Sequence, residues 1–510
     1  MSIKKLTAKN AITNWLSLGA TMVIGFLLAP FILHHLGDDA YGLYYLIVSL
    51  TGYYGLLDLG IRSSIVKYVA SYNATGDQEG LNRLINTTIF SYSVLAMVVL
   101  AATFIGSFYV DSLFRITPAF LKTARLLFLI TGAGIALSFP LGVFSGILEG
   151  LQKFYWTNPV YVSGFAVRAA LIVLLLDRGY GLLTLAWISV GVSSIGYNVG
   201  CTALALRATH IDWGWRFVNK KSLRLIINYG LISFAILLAG IIRTTVDNIV
   251  IGIFISSAAI TFYSIGSRLV EYLSRIVQQL SHIFVPIASH LEATADASRI
   301  QRLFIEGNRA CAFIAFPFAA VLVILGKPLI AVWMGARYVS SSYLILVILL
   351  VPSVLWYSQG ASTQMLYGMN RHKWLAKIRL ADAFASLALC LVLVRPMGIT
   401  GVAIGLAIPW SIVSLFFLSP HLCKMFHVPL LRTVARTYAV PLALTAPLAA
   451  ILYVFGRWFP APNLWTLILQ MGFGGAVYAA GLLWLFLTQE ALGIRMRGRL
   501  VRKLKESFGR

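Results

Sequence analysis

Apolar runs of about 20 residues, divided by short polar segments, recur from one end of the chain to the other. Each is long enough to cross a bilayer core of roughly 30 Å. They predict fourteen spanning helices, near 11–33, 41–61, 84–108, 125–147, 158–176, 181–206, 225–246, 258–284, 307–326, 343–366, 375–394, 402–420, 437–456 and 464–487. The eighth differs from the rest. In "RLVEYLSRIVQQLSHI" (268–283), Arg268, Glu271, Arg275, Gln278 and His282 recur at alternating spacings of three and four. That spacing places them on one helix face, with largely Leu, Ile, Val and Tyr between. From Arg268 to His282 is roughly 21 Å at 1.5 Å per residue, most of a membrane core.

A second pattern organises the spans. "ATGDQEGLNRL" (74–84) is echoed by "ATADASRIQRL" (293–303), with Ala, Thr, Asp, Arg and Leu in register, and Tyr44 with Tyr263 keeps the same offset. Downstream, "EGLQKFYW" (149–156) is echoed by "YGMNRHKW" (367–374). Each repeat holds six spans, an even number, so the two units share one orientation, as in transporters whose halves are related by an axis along the membrane normal. The expected fold is all-α and polytopic: an N-terminal six-helix lobe (1–206), a basic cytoplasmic linker (207–224), a C-terminal six-helix lobe (225–420), an added helix pair (421–490) and a basic cytoplasmic tail (491–510).

Composition agrees with a membrane protein, since 59% of the 510 residues are hydrophobic and 11% charged, against roughly 25% charged in a soluble protein. The net charge of +24 is spread in short clusters between the apolar runs, which argues against a nucleic-acid partner. Most of the 41 Lys and Arg fall on the side that holds both termini, which is therefore the cytoplasmic side. Trp213 and Trp215, beside the linker cations, suit an interfacial anchor. "MSIKKLTAKN" is basic, but the run after it lacks a small-residue cleavage site, so it reads as a retained first span. The four cysteines are far apart and no metal-ligand spacing is present. "HHLGDD" (34–39) is a short turn around Gly37 rather than a metal site. No loop is long enough for a catalytic domain, and no Asp-x-Asp motif stands where a glycosyltransferase would need one.

The chemistry therefore lies in the charges within spans. A charge at the centre of a spanning helix costs about 2.5–3.5 kcal/mol on the insertion scale, so the eighth helix must turn its polar face toward protein or water. Glu271 can pair with Arg268 or Arg275, leaving one cation uncompensated. Arg168 lies mid-span with no acid within helical reach. Arg243 and Asp247 are four apart, Arg379 and Asp382 three apart, and Asp58 and Arg62 four apart. The expectation is a water-filled, net-positive vestibule between the lobes. Arg168, Arg243, Arg268 and Arg275 would hold an anionic substrate there. Asp247, Glu271, Asp382 and Asp58 serve as ion-coupling or ion-pair groups, with Asp58–Arg62 and Arg379–Asp382 read as structural pairs.

"NWLSLGATMVIGFLLAPFILHHLGDDAYGLYYLIVSLTGYYGLLDLGI", then "KYVASYNATGD", "DNIVIG", "ITFYSIGSRL" and "GKPLIAVWMGARY", resemble oligosaccharide flippases of the Wzx type. These belong to the multidrug/oligosaccharidyl-lipid/polysaccharide exporter superfamily. The resemblance implies two six-helix lobes and alternating access, in the bacterial inner membrane. The implied substrate is a polyprenyl-pyrophosphate-linked oligosaccharide, moved from the cytoplasmic to the periplasmic leaflet. It implies a transporter rather than an enzyme, without a cofactor. Drive would come from H⁺ or Na⁺, and the partners would be membrane lipids and other polysaccharide-assembly proteins. Within transport, the alternatives are a flippase for the peptidoglycan lipid precursor, also anionic, and a multidrug-extrusion-like exporter, whose cationic substrates excess Arg would repel.

Overall fold

The computed structural model describes residues 3–488 apart from 295, 372 and 460–462; the basic tail predicted at 491–510 lies outside the described residues. The described residues are almost all helical, with no strand among them. The long helices are α1 (Ile3–Gly52), α2 (Ile61–Thr75), α3 (Gln78–Ser107), α4 (Leu121–Gly150), α5 (Phe154–Asp177), α6 (Leu182–Ala208), α7 (Lys220–Phe254), α8 (Ser257–Ser281), α9 (Phe284–Ala293), α10 (Ala297–Trp333), α11 (Val339–Tyr357), α12 (Gly360–Gly368), α13 (Lys373–Ile412), α14 (Leu430–Trp458) and α15 (Leu464–Thr488).

Eleven helical stretches among the described residues are long and apolar enough to cross a membrane. Two of them, Ile12–Asp58 and Lys373–Met425, each take in two of the spans predicted from sequence. Both are broken by a glycine in a conformation closed to a helical L-residue: Gly37 (φ 78°, ψ 174°) in α1 and Gly398 (φ 58°, ψ −138°) in α13. Helix α8 is not among the eleven. Its polar face divides it sharply, with Leu269, Leu273 and Val277 buried while Glu271, Arg275, Gln278 and His282 are exposed.

The echoed sequences do the same local job. Asp77 precedes α3 and accepts a hydrogen bond from the Gly80 amide at 2.8 Å; Asp296 precedes α10 and accepts one from the Arg299 amide at 3.0 Å. Each satisfies an N–H that the first helical turn leaves without an intrahelical acceptor.

Three apolar cores organise the packing. One, with Ile65, Leu84 and Ile147, belongs to the first half, and one, with Ala288, Phe304, Leu366 and Leu422, to the second. The third, largest core runs across both halves, joining Leu33, Leu43 and Ile47 of α1 to Val250, Ile260, Leu269 and Trp333. The halves are thus fused toward one end of their helices; toward the other the cores are distinct, except that Ile226 at the start of α7 is buried in the first-half core and its carbonyl accepts from Ser64 Oγ at 2.9 Å.

Candidate functional site

At the fused end, "HHLGDD" is the centre of the contact. Gly37 breaks α1 there, which aims the next two carboxylates across to the other half. Asp38 accepts hydrogen bonds from Arg337 at 2.9 Å and from the Tyr338 hydroxyl, and its backbone carbonyl accepts one from Thr261 Oγ1 at 2.8 Å. Asp39 accepts from Thr117 Oγ1 at 2.6 Å and from Ser257 Oγ at 3.3 Å. Deeper in, Asn248 Nδ2 donates to Ser49 Oγ at 2.8 Å. Trp333 Nε1 donates to the Phe26 carbonyl at 2.7 Å, with the two rings stacked at 4.6 Å. The backbones approach so closely that a Cβ on Gly42 would lie 1.8 Å from the Ser257 carbonyl oxygen. This end is sealed.

Toward the other end the second half forms a partly open cavity of about 780 Å³, lined by residues of α7, α8, α11, α12 and α13, within the range of roughly 300–1,000 Å³ of small-ligand sites. Four residues of the α8 stripe face it: Glu271, Arg275, Gln278 and His282. Arg243 and Asp247 enter from α7, Arg379, Asp382 and Trp410 from α13, and Trp356 and Gln364 from α11 and α12.

This cavity lies within the second half rather than between the lobes, and its charges balance. The cavity is not net positive, because its three arginines (243, 275 and 379) meet three carboxylates (247, 271 and 382). The spanning helices bring Arg243 to Asp382, 139 residues apart, at 3.2 Å, rather than to Asp247, four residues on. This pair is 18% and 5% exposed, and the Arg243 guanidinium also lies 3.7 Å from the centre of the Trp410 ring. Arg275 pairs with Glu271 at 2.7 Å in the open part of the cavity. Asp382 being taken, Arg379 forms no ion pair among the described residues and lies over the Trp356 ring at 4.9 Å. Asp247 is buried; its carboxylate accepts the Asn248 amide at 2.9 Å and forms no ion pair among the described residues.

Nor do the other predicted residues share this space. Arg268 points from α8 to α1, where its guanidinium bonds the Tyr45 hydroxyl and covers that ring at 4.7 Å, because α1 packs over this stretch of α8. Arg168 stays in the first half, donating to the Tyr44 hydroxyl at 3.3 Å. The two deep cations are therefore capped by adjacent tyrosines rather than presented together with Arg275 in one vestibule. Asp58 accepts from the Tyr92 hydroxyl and from the Arg62 amide at 3.4 Å, while the Arg62 side chain reaches Glu149 at 2.6 Å; the expected Asp58–Arg62 side-chain pair does not form.

Comparison with known proteins places this architecture. An O-antigen transporter of Shigella flexneri is 22% identical over 410 residues, covering 79% of this chain and 94% of that protein. A low-salt glycan biosynthesis flippase of Haloferax volcanii, Agl15, is 19% identical over 418 residues, covering 81% and 82%. Among solved structures, the lipid II flippase MurJ in an inward closed conformation matches with a TM-score of 0.69 at 14% identity, covering 94% of this chain and 99% of that one. An inward-facing multidrug resistance MATE family transporter of the MOP superfamily matches with a TM-score of 0.64 at 16% identity, covering 86% and 96%. Residues 7–292, more than half of the 510, match the family described as polysaccharide biosynthesis protein, and the chain belongs to that family.

Proposed function

We propose that the protein is a flippase that carries a polyprenyl-pyrophosphate-linked oligosaccharide across the bacterial cytoplasmic membrane by alternating access. In this reading the chain crosses fourteen times: α1 and α13 each supply two crossings around their glycine breaks, and α8 supplies the charged one. The halves are two six-helix lobes, with α14 and α15 as the added pair and both termini cytoplasmic. The end held by Asp38 and Asp39 then faces the periplasm and is closed, and the cavity is the cytoplasm-facing chamber.

The observation that carries the reading is the wall itself. A charged cavity deep among apolar helices serves a solute too polar for lipid, and Arg379, with no carboxylate of its own, offers a planar fork of donors to a pyrophosphate oxygen. The polyprenyl tail has no need of the chamber, because it remains soluble in lipid throughout. No bond is made or broken; the protein supplies a polar passage that opens to one leaflet at a time. A proton or Na⁺ held at Asp247, the cavity carboxylate without an ion pair, would bias the two states.

The test is reconstitution in proteoliposomes, with transbilayer movement of labelled lipid-linked oligosaccharide read by an impermeant glycosidase. Wild type raises the rate above protein-free vesicles, and Arg379→Gln, which removes a charge-assisted contact of about 1.5–3 kcal/mol, lowers it at least about tenfold. A wild-type rate equal to that of empty vesicles defeats the proposal. Movement of the peptidoglycan lipid precursor in preference to the oligosaccharide lipid would assign the protein to that substrate instead.

A further inference from the structure

A site for phosphate alone would be built differently. Phosphate oxygens at neutral pH accept hydrogen bonds and repel carboxylates, so such sites concentrate uncompensated cations. Here two of the three arginines are spent on carboxylates of the same wall, and those carboxylates remain part of the lining. Asp382 Oδ2 takes Arg243, but Asp382 Oδ1 is buried with no hydrogen-bond partner among the described residues. That oxygen is out of reach of the cavity, but Glu271, about half exposed in the lining, keeps an acceptor toward it, which repels phosphate and suits a hydroxyl donor. Gln278 and Gln364 add amides that both donate and accept, matching hydroxyls, which do the same. The wall also carries a corner of rings: Trp410 lies 6.3 Å from Trp356 and 5.8 Å from Tyr357, nearly edge-on to the latter. Arg243 covers one face of Trp410, so a pyranose would lay its apolar C–H face against the other, with hydroxyls at its rim.

We infer that Gln278, Gln364 and Trp410 form a carbohydrate subsite in the second half, which receives sugar rings of the substrate while Arg379 meets the pyrophosphate. This rests on the flippase reading above and divides that reading's single chamber into two chemistries. The subsite reads the glycan; the cation reads the linkage common to all such lipids.

The experiment compares two lipids in the same proteoliposome assay: the lipid-linked oligosaccharide extracted from cells, and the same lipid trimmed to one sugar. Gln278→Ala/Gln364→Ala lowers the rate for the intact lipid relative to the trimmed lipid about tenfold, the loss expected for two hydrogen-bonding side chains. Trp410→Leu shifts the ratio in the same direction, and Trp410→Phe, which keeps a ring, restores most of it. Arg379→Gln lowers both rates together. An unchanged ratio in the double-glutamine variant, or equal loss for both lipids, overturns the subsite. Failure of wild type to move either lipid overturns the flippase reading itself, so the two failures are told apart.

Discussion

Breaking the Arg243–Asp382 pair gives the sharpest energetic prediction. The carboxylate is 5% exposed and the guanidinium 18%, the N–O distance is 3.2 Å, and the guanidinium also rests on Trp410. In Arg243→Met the carboxylate stays buried without its cation, and removal of one partner from a buried pair costs about 3–5 kcal/mol. Replacing both, as Arg243→Met/Asp382→Leu, removes the charge that needed compensation, and such exchanges are often neutral or stabilising. The loss of about 3–5 kcal/mol is therefore recovered in the double variant, although transport is not. The exposed Arg275–Glu271 pair, with both side chains about half exposed, is the internal control, because such pairs contribute roughly 0–1 kcal/mol. Reversible denaturing-detergent unfolding reads Arg243→Met, Arg243→Met/Asp382→Leu and the control Arg275→Met on one scale. Equal stability of Arg243→Met and wild type, or a double variant no more stable than the single, refutes the claim that the pair is buried and mutually dependent.

Two further outcomes follow from the sealed end and the unpaired acid. Asp38→Asn weakens the acceptor shared by Arg337 and Tyr338, and charge-assisted hydrogen bonds contribute about 1.5–3 kcal/mol; the seal therefore opens more often. Thr261→Cys, at a buried position, then reacts at least about tenfold faster with an impermeant maleimide added from the side that the proposed topology makes periplasmic; an unchanged rate argues that Asp38 does not hold the gate. Asp247→Asn removes the titratable carboxylate that has no ion pair, so lipid movement continues at equilibrium but loses its response to an imposed H⁺ or Na⁺ gradient. A full response to both gradients in this variant excludes Asp247 as the coupling group.

Most spanning helices were readable because they obey one local rule, the length of an apolar run, whereas the α8 stripe was located by its alternating spacings of three and four. The pairings were not. Sequence places Asp247 four residues from Arg243 and Asp382 three from Arg379, and helical spacing favours those neighbours, yet α7 and α13 lie side by side and bring Arg243 to Asp382 instead. That exchange is what frees Arg379, a residue whose sequence context reads as a structural pair. Arg268 and Arg168 were found by depth, but depth says nothing of direction, and tyrosines 44 and 45 were already there to meet them. Trp356, Trp410 and Gln364 gave no signal, because aromatic residues and a lone amide in an apolar run look like any other part of a span. "HHLGDD", set aside as a metal site, carried a different meaning. Its glycine φ and its two carboxylates acquire a role only when α8 and the Arg337–Tyr338 turn stand opposite.

Direct observation of the bound substrate tests the central claim most plainly. A cryo-electron microscopy map of the protein with the proposed substrate, a lipid-linked oligosaccharide, is expected to show the pyrophosphate within hydrogen-bonding distance of Arg379 inside the second-half cavity. The contrary result is a headgroup seated elsewhere, such as against Arg168 and Arg268 between the halves, with that cavity holding only water.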